Sequence, residues 1–312
     1  VLGLVLLYAS IRKVEFGQIR EALRSAHWTW ALLALAGNAA FIAAKAWRWK
    51  NLLRFSPDVR FSELHGAVYI GLAMNFLVAH VGEFLRSAII ARKRDLAMSA
   101  VFASVVVERI LDFIAMLFLL AIVFASAPSL PDIVEMAGIG AALIVVIATS
   151  GLFALLHPPQ WLCGLAGKCA RLLPARTSDL LTEQLRKARL GLESVKDLRL
   201  MTVVLVTSVL QWTLVVSNIW CSAAAVGESV SLLAAFVVFV IIIAGLTLPN
   251  SPLQIGTTQL AFVLGLGIDH VSASTAIAAS LIYTVCVILQ TMIVGGVLLI
   301  ARRRPVTLRA RT

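Results

Sequence analysis

The sequence predicts an all-α fold: a polytopic integral membrane helical bundle with two re-entrant broken-helix elements and, from a faint internal similarity, inverted repeats. Three observations predict it. Of 312 residues, 60% are hydrophobic and 14% charged, with a mean hydropathy of +0.95, whereas soluble domains run at about 45–50% apolar and about 25% charged. The apolar residues fall into runs of roughly the 20 residues that cross hydrocarbon, separated by short basic connectors. Two further apolar segments are too interrupted to cross, which is the pattern of half-crossing elements.

The elements follow in order. VLGLVLLYAS at 1–10 is too short to span, so the numbering is read as beginning inside a first helix or after a trimmed leader. Spans are expected near 28–47, 98–126, 133–156, 201–225, 230–248 and 272–300. The segment 62–91 is interrupted by His80, Gly82, Glu83 and Arg86, with Gly82 read as ending or kinking a half-helix. The segment 250–268 opens with PNSPLQIG, whose two prolines and glycine break a helix. Between the halves, 178–198 places Leu181, Leu185, Ala188, Leu192 and Val195 at helical spacing behind Ser178 as N-cap, an amphipathic connector at the membrane surface. A single membrane domain therefore takes the whole chain: a first half over about 1–156, a connector over 157–200, a second half over 201–300 and a basic tail at 301–312.

The net charge of +11 comes from 27 Lys and Arg against 16 Asp and Glu. The basic residues sit mainly at the ends of apolar runs and form no nucleic-acid-binding motif, so topology and anionic lipid explain them better. Arg92, Lys93 and Arg94, the basic stretch 168–199 and the tail RRRPVTLRAR fall on one side by parity, the expected cytoplasmic side. APSLPD at 127–132 and VGES at 226–229 carry no Lys or Arg and fit the other side. Arg12, Lys13, Arg20 and Arg24 break the pattern. The expected location is the inner, cytoplasmic membrane, with multiple passes. Cys163, Cys169, Cys221 and Cys286 form no CxxC pair and read as reduced, small apolar side chains.

The candidate site lies in SVVVERILDFIAML, Ser104–Leu117, where a spanning helix carries Glu108, Arg109 and Asp112. Glu108 and Asp112 share a helix face, and Arg109 is three residues before Asp112 and reaches it. Each such charge near the bilayer centre costs roughly 2.5–3.5 kcal/mol, so the three must face protein or water. A second pair, Glu83 and Arg86, sits on the first broken helix, whose free backbone groups are tolerable only against protein or a cavity. Arginine forks onto phosphate, so a cavity with Arg86 and Arg109 suits an anionic headgroup, with Glu83 or Glu108 restraining arginine or pairing with a headgroup amine. The structural alternative is a buried ion-pair cluster that locks helices together.

AKAWRWKNLLR, Ala44–Arg54, reads as an interfacial belt of tryptophans and snorkelling cations, with Arg48 able to guard a headgroup entrance. Asn38, Asn75, Gln211, Asn218 and Gln290 read as interhelical hydrogen-bond partners. Asn250, Gln254 and Gln259 stand apart because they cluster on the second broken element. The five histidines are scattered, and HExxH, Walker and GxSxG patterns are missing, so no metal, no cofactor and no catalytic set is expected.

Four blocks resemble a known family: Arg48-Trp49, GEFLR at Gly82–Arg86, ERILD at Glu108–Asp112, and LPNSPLQIGTTQ at Leu248–Gln259. In order and spacing they are similar to the lysylphosphatidylglycerol synthase transmembrane region, or flippase-like domain. The resemblance implies translocation of a lipid between leaflets and a chain that stands alone, without the synthase domain of the multiple peptide resistance factors. In those relatives the lipid is an aminoacylated phosphatidylglycerol; others are associated with hopanoid or polyprenyl-linked glycan pathways. The chain departs from the family pattern at His80, where proline is usual, at Gln254, where glycine is usual, and at Gln259, where glutamate is usual. The substrate-binding set expected is Arg48, Glu83, Arg86, Glu108, Arg109, Asp112, Asn250, Gln254 and Gln259. The expected partners are membrane lipids with anionic headgroups and no nucleic acid, leaving open a separate lipid-modifying synthase and a second copy of the chain. Two rival functions stay open: an intramembrane transferase with Glu83 or Asp112 as base, and an accessory membrane partner of a separately encoded biosynthetic enzyme.

Overall fold

The computed structural model describes residues 15–78, 80–126, 197–246 and 252–303. Among these residues the regular structure is entirely helical. The described residues form ten α-helices: α1 (Phe16–Arg24), α2 (Trp28–Leu52), α3 (Phe61–Leu77), α4 (Val81–Arg94), α5 (Met98–Ser126), α6 (Leu198–Ala225), α7 (Leu232–Leu246), α8 (Thr257–Leu266), α9 (Ala273–Tyr283) and α10 (Gln290–Arg303). A π turn, Thr284–Leu289, joins α9 to α10 without ending the helix. Among the described residues, three helices are long and apolar enough to cross a membrane: Trp28–Leu52, Arg199–Ala225 and Ala273–Arg302. Helix α5 is as long, 29 residues, but carries the three charges.

The two broken elements are helical hairpins. Helices α3 and α4 have 17 and 14 residues, so at 1.5 Å per residue neither reaches the roughly 30 Å of hydrocarbon. The break falls at His80, which takes a left-handed φ of 64°. Gly82, expected as the breaker, is instead inside α4: a Cβ there would run into the carbonyl oxygen of Gly71, so this glycine lets the two arms touch. Asn75 Oδ1 then accepts from the Gly82 N–H (2.7 Å), tying the tip. Helices α7 and α8 pack as the second hairpin. Leu253, Gln254 and Gly256 all have positive φ before α8, and Gln259 Oε1 accepts from the Gly256 N–H at its start (2.7 Å).

The order of long helix, short hairpin, long helix thus occurs twice: α2, α3–α4, α5 and then α6, α7–α8, α9–α10. Helices α2 and α6 form the central seam. His27 N–H donates to Ala225 O (2.7 Å) at one end, and Arg48 meets Ser208 farther along, so the two run antiparallel. Lipid tails are as apolar as leucine, so close packing must hold such a bundle. The buried alanines Ala34, Ala46, Ala67, Ala73, Ala91 and Ala103 permit that approach.

The basic ends gather on one side. Arg54 pairs with Asp197, Lys93 and Arg94 pair with Glu63, and Arg302 reaches the Glu63 carbonyl (3.4 Å). The expected span at 133–156, the connector at 178–198 up to residue 196, Asn250, residues 1–14 and the tail from 304 lie outside the described residues. Cys221 and Cys286 are free thiols.

Candidate functional site

Helix α5 brings Glu108 and Asp112 to the α2 face, and Glu108 is fully buried. Four cations converge on it. Arg86 Nη1 donates to Glu108 Oε2 and Nη2 to Oε1, both at 3.0 Å. Arg48 Nη2 lies 3.1 Å and Arg109 Nη2 2.8 Å from Oε1, and Lys45 Nζ donates to the same oxygen. Asp112 is held by the Arg48 fork, by Arg109 Nη2 (3.1 Å) and more distantly by Lys45 (3.9 Å). Glu83 accepts from Arg86 Nε (2.6 Å) and faces Arg109 at 3.8 Å.

Neighbouring aromatic and polar groups fix this arrangement. The Arg86 guanidinium lies over the Trp49 ring, 4.6 Å from its centre, a cation–π contact that gains strength away from water. Trp49 Nε1 donates to Ser104 Oγ (3.0 Å), and Trp212 Nε1 to the Asp112 carbonyl (3.1 Å). Ser208 on α6 accepts from Arg48, so helices from both halves meet here.

Lys45, Arg48, Arg86 and Arg109 carry four positive charges against three negative on Glu83, Glu108 and Asp112. Among the described residues the cluster therefore keeps one positive charge. Most of it is sealed, but the Arg109 side chain is 36% exposed and Glu83 14%. Their edge is bordered by exposed apolar Val106, one turn earlier on α5, and Phe84, whose ring stacks on Phe102 at 4.5 Å.

The interfacial reading of AKAWRWKNLLR is thus corrected. Lys45, Arg48 and Trp49 are buried and engaged with α4, α5 and α6, because Glu108 and Asp112 offer a better environment than the headgroup region; only Trp47, Lys50 and Arg54 remain outward. Lys45 was absent from the expected set, though its i, i+3 spacing to Arg48 put both on one face of α2. The structure brings Arg48, Glu83, Arg86, Glu108, Arg109 and Asp112 into one network. It does not bring Gln254 or Gln259 into it: Gln259 caps α8, and Gln254 sits at the tip of the second hairpin, which lies against α3. Asn38 bridges helices as expected, donating to Gln290 Oε1 (2.5 Å), Thr291 Oγ1 (3.1 Å) and the Val287 carbonyl (3.3 Å). No group of His, Cys, Asp and Glu among the described residues is arranged to hold a metal ion.

This sequence is similar to that of a known protein over most of its length. A UPF0104 membrane protein of Methanothermobacter thermautotrophicus is 23% identical over 301 residues, covering 90% of this chain and 88% of that protein. The family model described as Lysylphosphatidylglycerol synthase TM region matches residues 1–295, which takes in both hairpins and every member of the charged cluster. This all-helical membrane chain, with its α2–α4–α5 charge network, belongs to the Lysylphosphatidylglycerol synthase TM region family.

Proposed function

We propose that the chain is a multi-pass carrier in the inner membrane that moves a phospholipid or a related lipid between leaflets, with the headgroup held at Arg109. One observation carries this reading: a buried charge network with a surplus positive charge and one partly exposed arginine beside apolar surface. A headgroup can meet Arg109 there while its tails stay against Val106 and Phe84. The family supports a role with membrane lipids, since the matching description names a lipid synthase's membrane region. The doubled element order and the antiparallel α2–α6 seam support an inverted repeat, an architecture that places substrate sites at the repeat interface.

In this reading the carboxylates restrain the arginines until a headgroup replaces part of their pairing. Arg86 and Arg109 exchange a carboxylate oxygen for a phosphate oxygen, so the guanidinium keeps its fork geometry throughout. The transferase alternative needs Glu83 or Asp112 as a free base, and both are tied to arginine.

The test is a leaflet-exchange assay. Purified protein in liposomes is given a headgroup-labelled phosphatidylglycerol, with a quencher that cannot cross the bilayer. The expected result is label exchange faster than in empty liposomes, unchanged lipid mass, and a slowing of about tenfold or more in Arg109→Ala. Exchange equal to that of empty liposomes, for phospholipid, glycolipid and hopanoid probes alike, overturns the carrier reading.

A further inference from the structure

Building on the headgroup site just proposed, we infer that it is matched to a lipid carrying one net negative charge, a phosphodiester, and that it rejects a headgroup bearing an extra ammonium. The cluster holds four cations and three carboxylates, so one monoanion brings it to neutrality. Neutrality matters because an uncompensated charge away from water is far more costly than a paired one.

Hydrogen-bonding capacity points the same way. Every carboxylate oxygen already has a partner. Glu108 Oε1 and Oε2 are taken by the Arg86 fork, Asp112 Oδ1 and Oδ2 by the Arg48 fork, Glu83 Oε2 by Arg86 Nε, and Glu83 Oε1 by Asn75 Nδ2 at 3.4 Å. An ammonium would have to compete with these cations for the same oxygens, the least engaged being Glu83 Oε1 with its single 3.4 Å partner. Donors, in contrast, are in surplus: Arg48 Nε, Arg109 Nε and Gln211 Nε2 are buried without a partner among the described residues. Gln211 stands one turn beyond Ser208, the acceptor for Arg48. Two non-bridging phosphate oxygens with a single charge supply acceptors without overturning the charge balance. A phosphomonoester adds a second negative charge and an aminoacyl headgroup adds a positive one, so each leaves the site charged.

The exposed apolar border of Arg109 fits a lipid-borne anion rather than a dissolved one. Binding to the full chain in detergent, read by thermal shift and by equilibrium titration, separates these sources. The probes are phosphatidylglycerol, lysyl-phosphatidylglycerol, phosphatidylcholine and phosphatidic acid at pH 7, where a phosphomonoester carries about −1.5 to −2, all with the same acyl chains, and free glycerophosphoglycerol. Phosphatidylglycerol should bind about tenfold or more tightly than the other four. Glu83→Gln raises the net charge of the site by one, and should move the phosphatidic acid to phosphatidylglycerol affinity ratio about tenfold toward the dianion. Arg109→Gln should abolish the preference over phosphatidylcholine, and Arg109→Lys should keep it. Monodisperse elution shows that each variant is folded.

Equal or tighter binding of lysyl-phosphatidylglycerol overturns the monoanion match, as does an unchanged ratio in Glu83→Gln. Equal binding of glycerophosphoglycerol overturns the lipid-borne requirement. If no anionic lipid binds better than phosphatidylcholine in the parent chain, the headgroup site itself falls, which is a separate failure from a wrong charge preference.

Discussion

Arg86 holds Glu108 with both ends of its guanidinium, each nitrogen 3.0 Å from a different carboxylate oxygen, and Glu108 has no exposure to solvent. Glu108 is also the anion against which Lys45, Arg48 and Arg109 are gathered. Neutralising it leaves four cations facing two carboxylates. Glu108→Gln is therefore expected to destabilise the fold by about 3–5 kcal/mol, the usual consequence of breaking a buried pair from one side. Arg109→Gln removes the surplus cation and leaves three cations facing three carboxylates, so it should cost less than Glu108→Gln. The double variant Arg86→Met with Glu108→Leu removes one charge of each sign and should recover much of the loss. Thermal denaturation in detergent measures all three, and a double variant no better than Glu108→Gln would show that packing dominates over charge balance.

The charged residues of α5 were legible because hydrocarbon makes such residues costly, so Glu108, Arg109 and Asp112 had to face partners. The local pairs were legible too, Arg86 to Glu83 and Arg109 to Asp112, since both follow i, i+3 spacing. Lys45 and Arg48 were not. Cations interleaved with tryptophans near a helix end give the same local pattern whether they point to headgroups or inward. What turns them inward is Glu108 and Asp112, more than sixty residues away. Likewise the bend of the first hairpin was visible, but its residue was not: proximity to glycine suggested Gly82, while His80 takes the left-handed conformation.

Gly82 is expected to tolerate no side chain. A Cβ on it meets the backbone oxygen of Gly71, and the reciprocal Cβ on Gly71 would stand 2.9 Å from the oxygen of Gly82. Backbone cannot rotate away as a side chain can, so Gly82→Ala must part the arms that position Glu83 and Arg86. A loss of about 1–3 kcal/mol is expected. Gly296→Ala is the control, because among the described residues nothing lies within 4 Å of the Cβ it would add, and there a helix-interior alanine should be neutral or stabilising by up to about 1 kcal/mol. Melting curves that rank the two in the opposite order would contradict the close-contact role.

Asn38 joins α2 to the π turn. Its amide donates to the Val287 carbonyl on that turn and to Gln290 and Thr291 at the start of α10. Asn38→Leu should cost about 1–2 kcal/mol, the range for hydrogen bonds between helices in membranes. Thr291 also donates to Val287 O (2.7 Å) within its own helix. Thr291→Val should therefore cost less, because Asn38 keeps its bonds to Gln290 and Val287. Equal losses in the two variants would assign the stabilisation to the helix rather than to the bridge.

Asp197 gives a pH-dependent prediction outside the spanning segments. It is the N-cap of α6, accepting from the Leu200 N–H (3.1 Å), and it pairs with Arg54 at the end of α2. The backbone N–H of Leu200 first, and the Arg54 guanidinium second, hold its carboxyl below its usual value of 3.8. A depressed carboxylate stabilises the fold above the unfolded value, and that contribution disappears as pH falls through the folded one. The melting-temperature gap between the parent chain and Asp197→Ala should therefore be constant near neutrality and shrink as the pH drops below 3.8. Asp197→Asn separates the two causes: asparagine caps about as well as aspartate but cannot pair with Arg54. Its deficit should be smaller than that of alanine and should fade with added salt, since both partners of the ion pair are exposed. An alanine gap that stays constant through the acidic range would remove the carboxylate charge from the account and leave side-chain packing as the cause.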